Sequence, residues 1–471
     1  MDIMKTLRYK LLLSVLSLFF LSFIGCNTVE KKEKDDWDEL FNGKDLTGWK
    51  QLNGNAEYLV EDGAIVGNTV TESPNSFLCT DKKYNDFILE FEVWADTSVN
   101  SGVQFRSNSF DDFNNGRVHG YQFELESTNR AFSGGIYDEG RRGWLYPLSL
   151  NENGRKAFKV GEWNACRIEA VGNAIKTWVN GIQCANLVDD LTASGFIGLQ
   201  VHSIDNESNA GKKIKWKNIR IKTANFEQER WPLDVNVAES SYLLNKLTDA
   251  EIKNGWRLLW DGKTSEGWRS SKQDQFPTEG WEIKDGELTN SGVLHKKEEG
   301  SGDIITKNSF GEFELELEFK ISEGANSGIK YFVDTELNKG EGWEIGCEYQ
   351  LLDDDNHPDA KEGLNGNRTI GSLYDLIGAE NISVPGREKQ FKGIGAWNKA
   401  RIISKGNIVS HWLNDEKIVE YDRSSPSFEV LVAKSKYKNW KGFGQVPSGH
   451  ILLQDHGDTI HFRSIKIREF N

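Results

Sequence analysis

The chain is poor in cysteine, proline and methionine, with 5, 8 and 2 among 471 residues. Behind position 26, cysteines stand only at 79, 166, 184 and 347, and no two form a CxxC pair. That spacing excludes a disulfide framework and a cysteine zinc cluster, and leaves buried free thiols as the reading. Positive charge is outnumbered, with 57 Lys and Arg against 72 Asp and Glu. The formal net charge is −15, and no Lys/Arg run interrupts it, so a duplex nucleic acid partner is excluded. The sequence contains no GxSxG, no P-loop and no HExxH. It also lacks a long helical pattern. Against these absences stand 46 glycines and an aromatic share of 11% that includes 16 tryptophans, a composition that suits a turn-rich β protein.

The N-terminus carries the one long apolar run. Lys5, Arg8 and Lys10 precede LLLSVLSLFFLSFI at 11–24, which is short for a membrane span and shaped like the core of a secretory signal. It ends in Gly25-Cys26. A small residue before cysteine is similar to a bacterial lipoprotein cleavage site, with Cys26 as the lipidated residue. An ordinary signal peptide with an incidental cysteine is the other reading. On the first, residues 1–25 are the signal and 26–36 a charged tether, and the protein sits in the bacterial cell envelope, held to a membrane by its lipid.

The remainder repeats itself. FNGKDLTGW at 41–49 returns as WDGKTSEGW at 260–268, and NSGVQF at 100–105 as NSGIKY at 326–331. GLQVHS at 198–203 returns as LLQDHG at 452–457, and IKWKNIRIK as IHFRSIKIR, all in the same order. Such collinear similarity is a tandem duplication. It sets domains at 37–224 and 247–471 with a linker at 225–246, and Thr248, just beyond the linker, is placed to cap a short helix. The shared segments alternate with period two. Phe313, Leu315, Leu317 and Phe319 alternate with charged residues, and Gly172-Asn173 joins two strands as a hairpin. The expected fold class is all-β, two tandem sandwiches or jelly rolls.

Chemistry-bearing residues fall on matching strands. In HGYQFELES, Gln122 and Glu124 share a face opposite Tyr121, Phe123 and Leu125. In GCEYQLL, Glu348 and Gln350 share a face. A later strand carries Gln200 with His202 in the first copy and Gln454 with His456 in the second. These groups are either the solvated side of a half-exposed sheet or a site, in which Glu124, His202, Glu348 and His456 transfer protons. A third feature is GGIYDEGRRGWLYPL at 134–148, where Tyr137, Asp138, Glu139, Arg141, Arg142 and Trp144 alternate charge with rings. It is either a solvated loop or the wall of a site that grips something polar and ring-shaped. In the second copy Asp353, Asp355 and His357 offer oxygen and nitrogen ligands to a divalent cation, or form a charged turn shaped by Pro358.

These motifs together, with GSLYDL, LVAKSKY and HILLQDHGD in the second half, resemble the bacterial 3-keto-disaccharide hydrolase domain family, twice over nearly the whole mature chain. The resemblance implies a concanavalin A-like jelly roll and action on glucosides oxidised at C3. It implies that 134–148 is a site loop whose rings stack on a sugar and whose charges bind its hydroxyls, and it adds Tyr374 of GSLYDL to the substrate-binding candidates. It implies deprotonation at C2, elimination of the C1 substituent and hydration, with Arg141 and Arg142, or a cation near Asp353 and His357, stabilising the oxyanion. A non-catalytic lipoprotein with two glycan-binding modules is the alternative, because lectins share the architecture.

Overall fold

The computed structural model describes residues 36–291, 302–337 and 344–470. The segment expected to be a signal peptide, most of the expected tether and Cys26 lie outside the described residues. The rest forms two β-sandwiches, each with its own apolar core.

The first sandwich packs a sheet of nine strands on one of seven. The central strand of the larger sheet, Phe87–Ala95, points Phe87, Leu89, Phe91 and Val93 inward. They meet Tyr121, Phe123 and Leu125 of His119–Glu126 from the smaller sheet. Phe91 and Phe123 meet edge to face at 5.5 Å between centroids, and Phe105 stacks on Tyr121 at 5.6 Å. The smaller sheet runs Gly143–Tyr146, Ile136–Glu139, His119–Glu126, Asn100–Asn108, Phe196–Val201, Ser76–Thr80 and Trp49–Leu52. Its outward polar face is the floor of the site described below. Cys79, Cys166, Cys184 and Cys347 are free and buried, as their spacing implied.

The second sandwich packs sheets of eight and five strands. Phe313–Ile321 follows the expected alternation, with Phe313, Leu315, Leu317 and Phe319 in the core. Its other face carries Glu314, Glu316 and Glu318, which alternation alone would give to solvent. All three are buried. The reason is that this face lies against the first sandwich and the bridge. Lys399 Nζ donates to Ser240 Oγ at 2.9 Å, and Ser149 Oγ donates to the Asp415 carbonyl at 3.1 Å.

The bridge is itself part of the fold. Ser240–Ser241 adds to the edge of the first domain's large sheet, parallel to Ile182–Val188. Val237 enters the first core, and Tyr146 Oη donates to the Ala238 carbonyl at 2.7 Å. Thr248 then caps the helix Asp249–Lys253 and forms a reciprocal capping box with Glu251.

Candidate active site

The repeated NSG motif explains how the first floor is built. Gly102 sits mid-strand, opposite Glu124 on one side and Gln200 on the other. Lacking a side chain, it leaves room for Gln122 to lie across it. A Cβ there would stand 2.4 Å from Gln122 Cδ. Gly102→Ala should therefore destabilise the protein by about 1–3 kcal/mol through overpacking, measurable by denaturant titration. An unchanged midpoint would show that Gln122 is free to move aside.

Across this gap Gln104 Nε2 donates to Gln122 Oε1 at 2.5 Å, and Gln122 Nε2 donates to Glu124 Oε2 at 2.8 Å. Asn100 Nδ2 donates to Glu124 Oε1 at 3.3 Å, and Arg130 Nη2 lies 3.7 Å from the same oxygen. Arg130 is held in turn by Glu126. Glu124 is only 3% exposed, not half-solvated as a sheet face would suggest. Burial, with Glu126 adding to it, pushes its carboxyl up to about 8, against the pull of Arg130. His202 lines the same cleft. Its Nδ1 is 2.7 Å from the Ser203 carbonyl, which can only accept, so Nδ1 carries the proton and Nε2 the lone pair.

The segment at 134–148 forms a hairpin of Ile136–Glu139 and Gly143–Tyr146, turning through Gly140 and Gly143 at positive φ. Tyr137, Glu139, Arg141, Arg142 and Trp144 line the cleft. Tyr137 and Trp144 meet edge to face at 5.3 Å, and the Arg130 guanidinium lies 5.1 Å from the Trp144 ring. Asp138 does not fit the expectation that it binds hydroxyls. It is fully buried and accepts from Arg141 Nε at 2.8 Å and Arg142 Nε at 2.5 Å. With Asp189, which also pairs with Arg142, it is the counter-ion that fixes both arginines. Gln200 also departs from expectation. It is wholly buried beneath the floor and does not line the cleft.

In the second copy Glu348, Gln350, Gln454, Tyr374 and His456 also converge, but on a hollow of only about 100 Å³. Lys436, Tyr437 and Trp440, which follow the helix Pro426–Lys434, line it as well. Lys436 Nζ lies 4.0 Å from the Tyr374 ring centre, and Tyr374 Oη donates to Asp359 at 2.7 Å. The registers also differ from the simple expectation. Gly328, the counterpart of Gly102, pairs with Gln350, and Lys330 pairs with Glu348. Gln350 therefore occupies the place of Glu124, and Glu348 that of Gln122. The carboxylate and the amide have changed places between the copies.

The proposed cation ligands do not fit a metal. Asp353 accepts from Gly324 N at 2.7 Å, Asn356 Nδ2 at 2.8 Å and the backbone of Asp355 and Asn356, which uses both its oxygens. His357 Nδ1 accepts from Asp359 N at 3.2 Å as a helix cap. Among the described residues no group of three His, Cys, Asp or Glu is arranged to hold a metal ion. The segment is a charged turn.

Sequence reasoning missed an entire wall. The first cleft, about 820 Å³, is also lined by Glu318, Arg387, Gln390, Phe391, Lys392, Trp397 and Glu416 of the second domain. Asn100 and Arg130 were missed as well. Asn100 carried a signal, because it opens the repeated NSG motif.

A family profile described as a 3-keto-alpha-glucoside-1,2-lyase-like domain matches residues 36–222 and 255–468. A Bacteroides thetaiotaomicron protein named 3-keto-disaccharide hydrolase is 38% identical over 235 residues, which span 46% of this chain and 78% of that protein. Two solved structures from Parabacteroides distasonis, each described as a candidate glycosyl hydrolase, are 29% and 27% identical. They cover 48% and 46% of this chain and 100% and 99% of their own, with TM-scores of 0.42 and 0.35.

Proposed function

The chain belongs to the 3-keto-alpha-glucoside-1,2-lyase-like domain family, and from that premise we propose that it cleaves the glycosidic bond of 3-keto-glucosides in the cleft of its first domain. A ketone at C3 makes the hydrogen on C2 acidic. Glu124 takes that proton, and the electron pair of the C2–H bond passes to the C3 oxygen as an enolate. The enolate reforms the ketone as the C1–O bond breaks, which leaves a double bond between C1 and C2. The departing oxygen takes the proton that Glu124 has gained, directly or relayed through Nε2 of His202 in the same cleft. Addition of water across the double bond, OH to C1 and H to C2, completes net hydrolysis. Arg130 and the paired Arg141 and Arg142 put positive charge where the enolate oxygen forms. Tyr137 and Trp144 offer faces to the sugar ring.

The observation that carries this reading is Glu124, a carboxyl at the floor of a cleft and pushed up to about 8. A group of that basicity can both take and return a proton near neutral pH. A 3-keto-glucoside deuterated at C2 should react more slowly than its protio form in a single turnover. Equal rates would point instead to displacement at C1.

The proposal includes export and anchoring through Cys26. A lipid chain holds a soluble domain at a membrane by about 0.8 kcal/mol per buried methylene. Cys26→Ala should move the protein into the soluble envelope fraction or block its processing. Unchanged mass and fractionation would refute the anchor.

A further inference from the structure

The first cleft has two ends that feel different charges. The groups acting on Glu124 are Glu126, Arg130, Gln122 and Glu139, all from the first domain. Those acting on Lys392 are Glu318, Lys399, Asp415 and Arg142, mostly from the second. A volume of about 820 Å³ is of the size that takes a drug-sized ligand, more than one sugar ring. Whatever fills the end at Lys392 is therefore the rest of the substrate.

The cations lining this cleft are almost all neutralised. Arg117 pairs with Glu139 at 3.1 Å, Arg130 with Glu126, and Arg141 with Asp138 at 2.7 Å. Arg142 pairs with Asp138 and Asp189, and Arg387 with Glu416. Glu318, the carboxylate that acts most on Lys392, is itself engaged by Arg463 at 2.9 Å. Lys392 alone among these cations has no carboxylate within ion-pair distance among the described residues. Its nearest ring is Tyr242, 6.0 Å away. Loss of hydration lowers its ammonium to about 8, so it is charged at neutral pH without a counter-ion. Lys392 is half-buried, and a partly desolvated charge in that state is stabilised by whichever anion enters.

We infer that the second domain completes the first domain's site, and that Lys392 takes a carboxylate carried on the C1 substituent of the substrate. The second domain's own hollow, about 100 Å³, is too small for a disaccharide, so its contribution is made from its outer face instead. The inference rests on the 3-keto-glucoside reading, because that reading defines the C1 substituent.

The test compares two aryl 3-keto-glucosides of the same skeleton, one bearing a carboxylate and one a neutral hydroxymethyl group, in both anomers. Binding of the matching unoxidised glucosides is measured alongside by calorimetry. Wild-type enzyme should prefer the carboxylate substrate, chiefly through KM. Lys392→Met should reduce that preference at least tenfold, and Lys392→Arg should restore most of it. Equal preference in wild type and Lys392→Met, in turnover and in binding, overturns the inference. A Lys392-dependent preference in binding with no turnover of either substrate keeps the carboxylate site and overturns the 3-keto-glucoside reading.

Discussion

Glu124→Gln should lower kcat/KM on a 3-keto-glucoside by about 10²-fold or more, the usual contribution of a positioned acid or base. Glu348→Gln, by contrast, should leave kcat/KM nearly unchanged. The two carboxylates look equivalent along the chain, but Glu348 faces a hollow of only about 100 Å³ and stands where the first copy has Gln122. The pH profile adds a second readout. As a base, Glu124 must lose its proton before it acts, so kcat/KM should rise with pH through about 8, and the glutamine variant should lack that limb. Stability should move the opposite way. The folded state keeps the Glu124 proton up to about 8, while in the unfolded chain the carboxyl ionises near its ordinary value of 4.5. The unfolded state therefore binds fewer protons between those limits, and stability falls as pH rises across them. Glu124→Gln should flatten that slope. If Glu124→Gln kept full turnover, Glu124 would not be the base; if wild type turned over no 3-keto-glucoside at all, the glycan-binding alternative would be left standing.

Asp415→Ala should destabilise the protein by about 3–5 kcal/mol, because removing one member of a buried ion pair leaves the other charge uncompensated. Asp415 and Lys399 are 1% and 3% exposed in their side chains and lie 3.0 Å apart. Asp415 also holds Arg401 at 3.2 Å, while Lys399 reaches across to Ser240 in the bridge. The loss should appear in equilibrium denaturation, as an early transition that separates the domains or as a lowered main transition. Turnover should fall with it, since Asn414 and Glu416, on either side of Asp415, line the cleft. A variant as stable as wild type would mean that the domain contact does not depend on this pair.

The duplication, the strands and their inward faces were legible because alternation records which side of a sheet meets a core. Tyr121, Phe123 and Leu125 went inward as read, and Gln122 and Glu124 outward into one cleft with His202. Alternation cannot see a shift of two residues, which keeps every side chain on its face. That is why the exchange of Glu124 with Gln350, and of Gln122 with Glu348, was hidden until pairing partners were known. Nor can alternation say what covers an outward face. Glu314, Glu316 and Glu318 have the pattern of a wetted surface but are buried, paired with Arg468, Lys466 and Arg463 on a face that meets the bridge and the first domain. The role of Asp138 was hidden for a related reason. In a tight hairpin, a carboxylate three and four residues from two arginines is as able to neutralise them as to meet a ligand.

The shared cleft changes what a library of variants must cover. Diversity confined to the first repeat, where the floor and its carboxyl reside, would leave Lys392, Phe391 and Trp397 fixed, and with them one side of any altered substrate range. A chimera that joins this first repeat to a foreign second one would inherit the proton chemistry and lose the selectivity. In this chain the unit that evolution or an engineer can exchange without retuning is the pair of repeats, not either repeat alone.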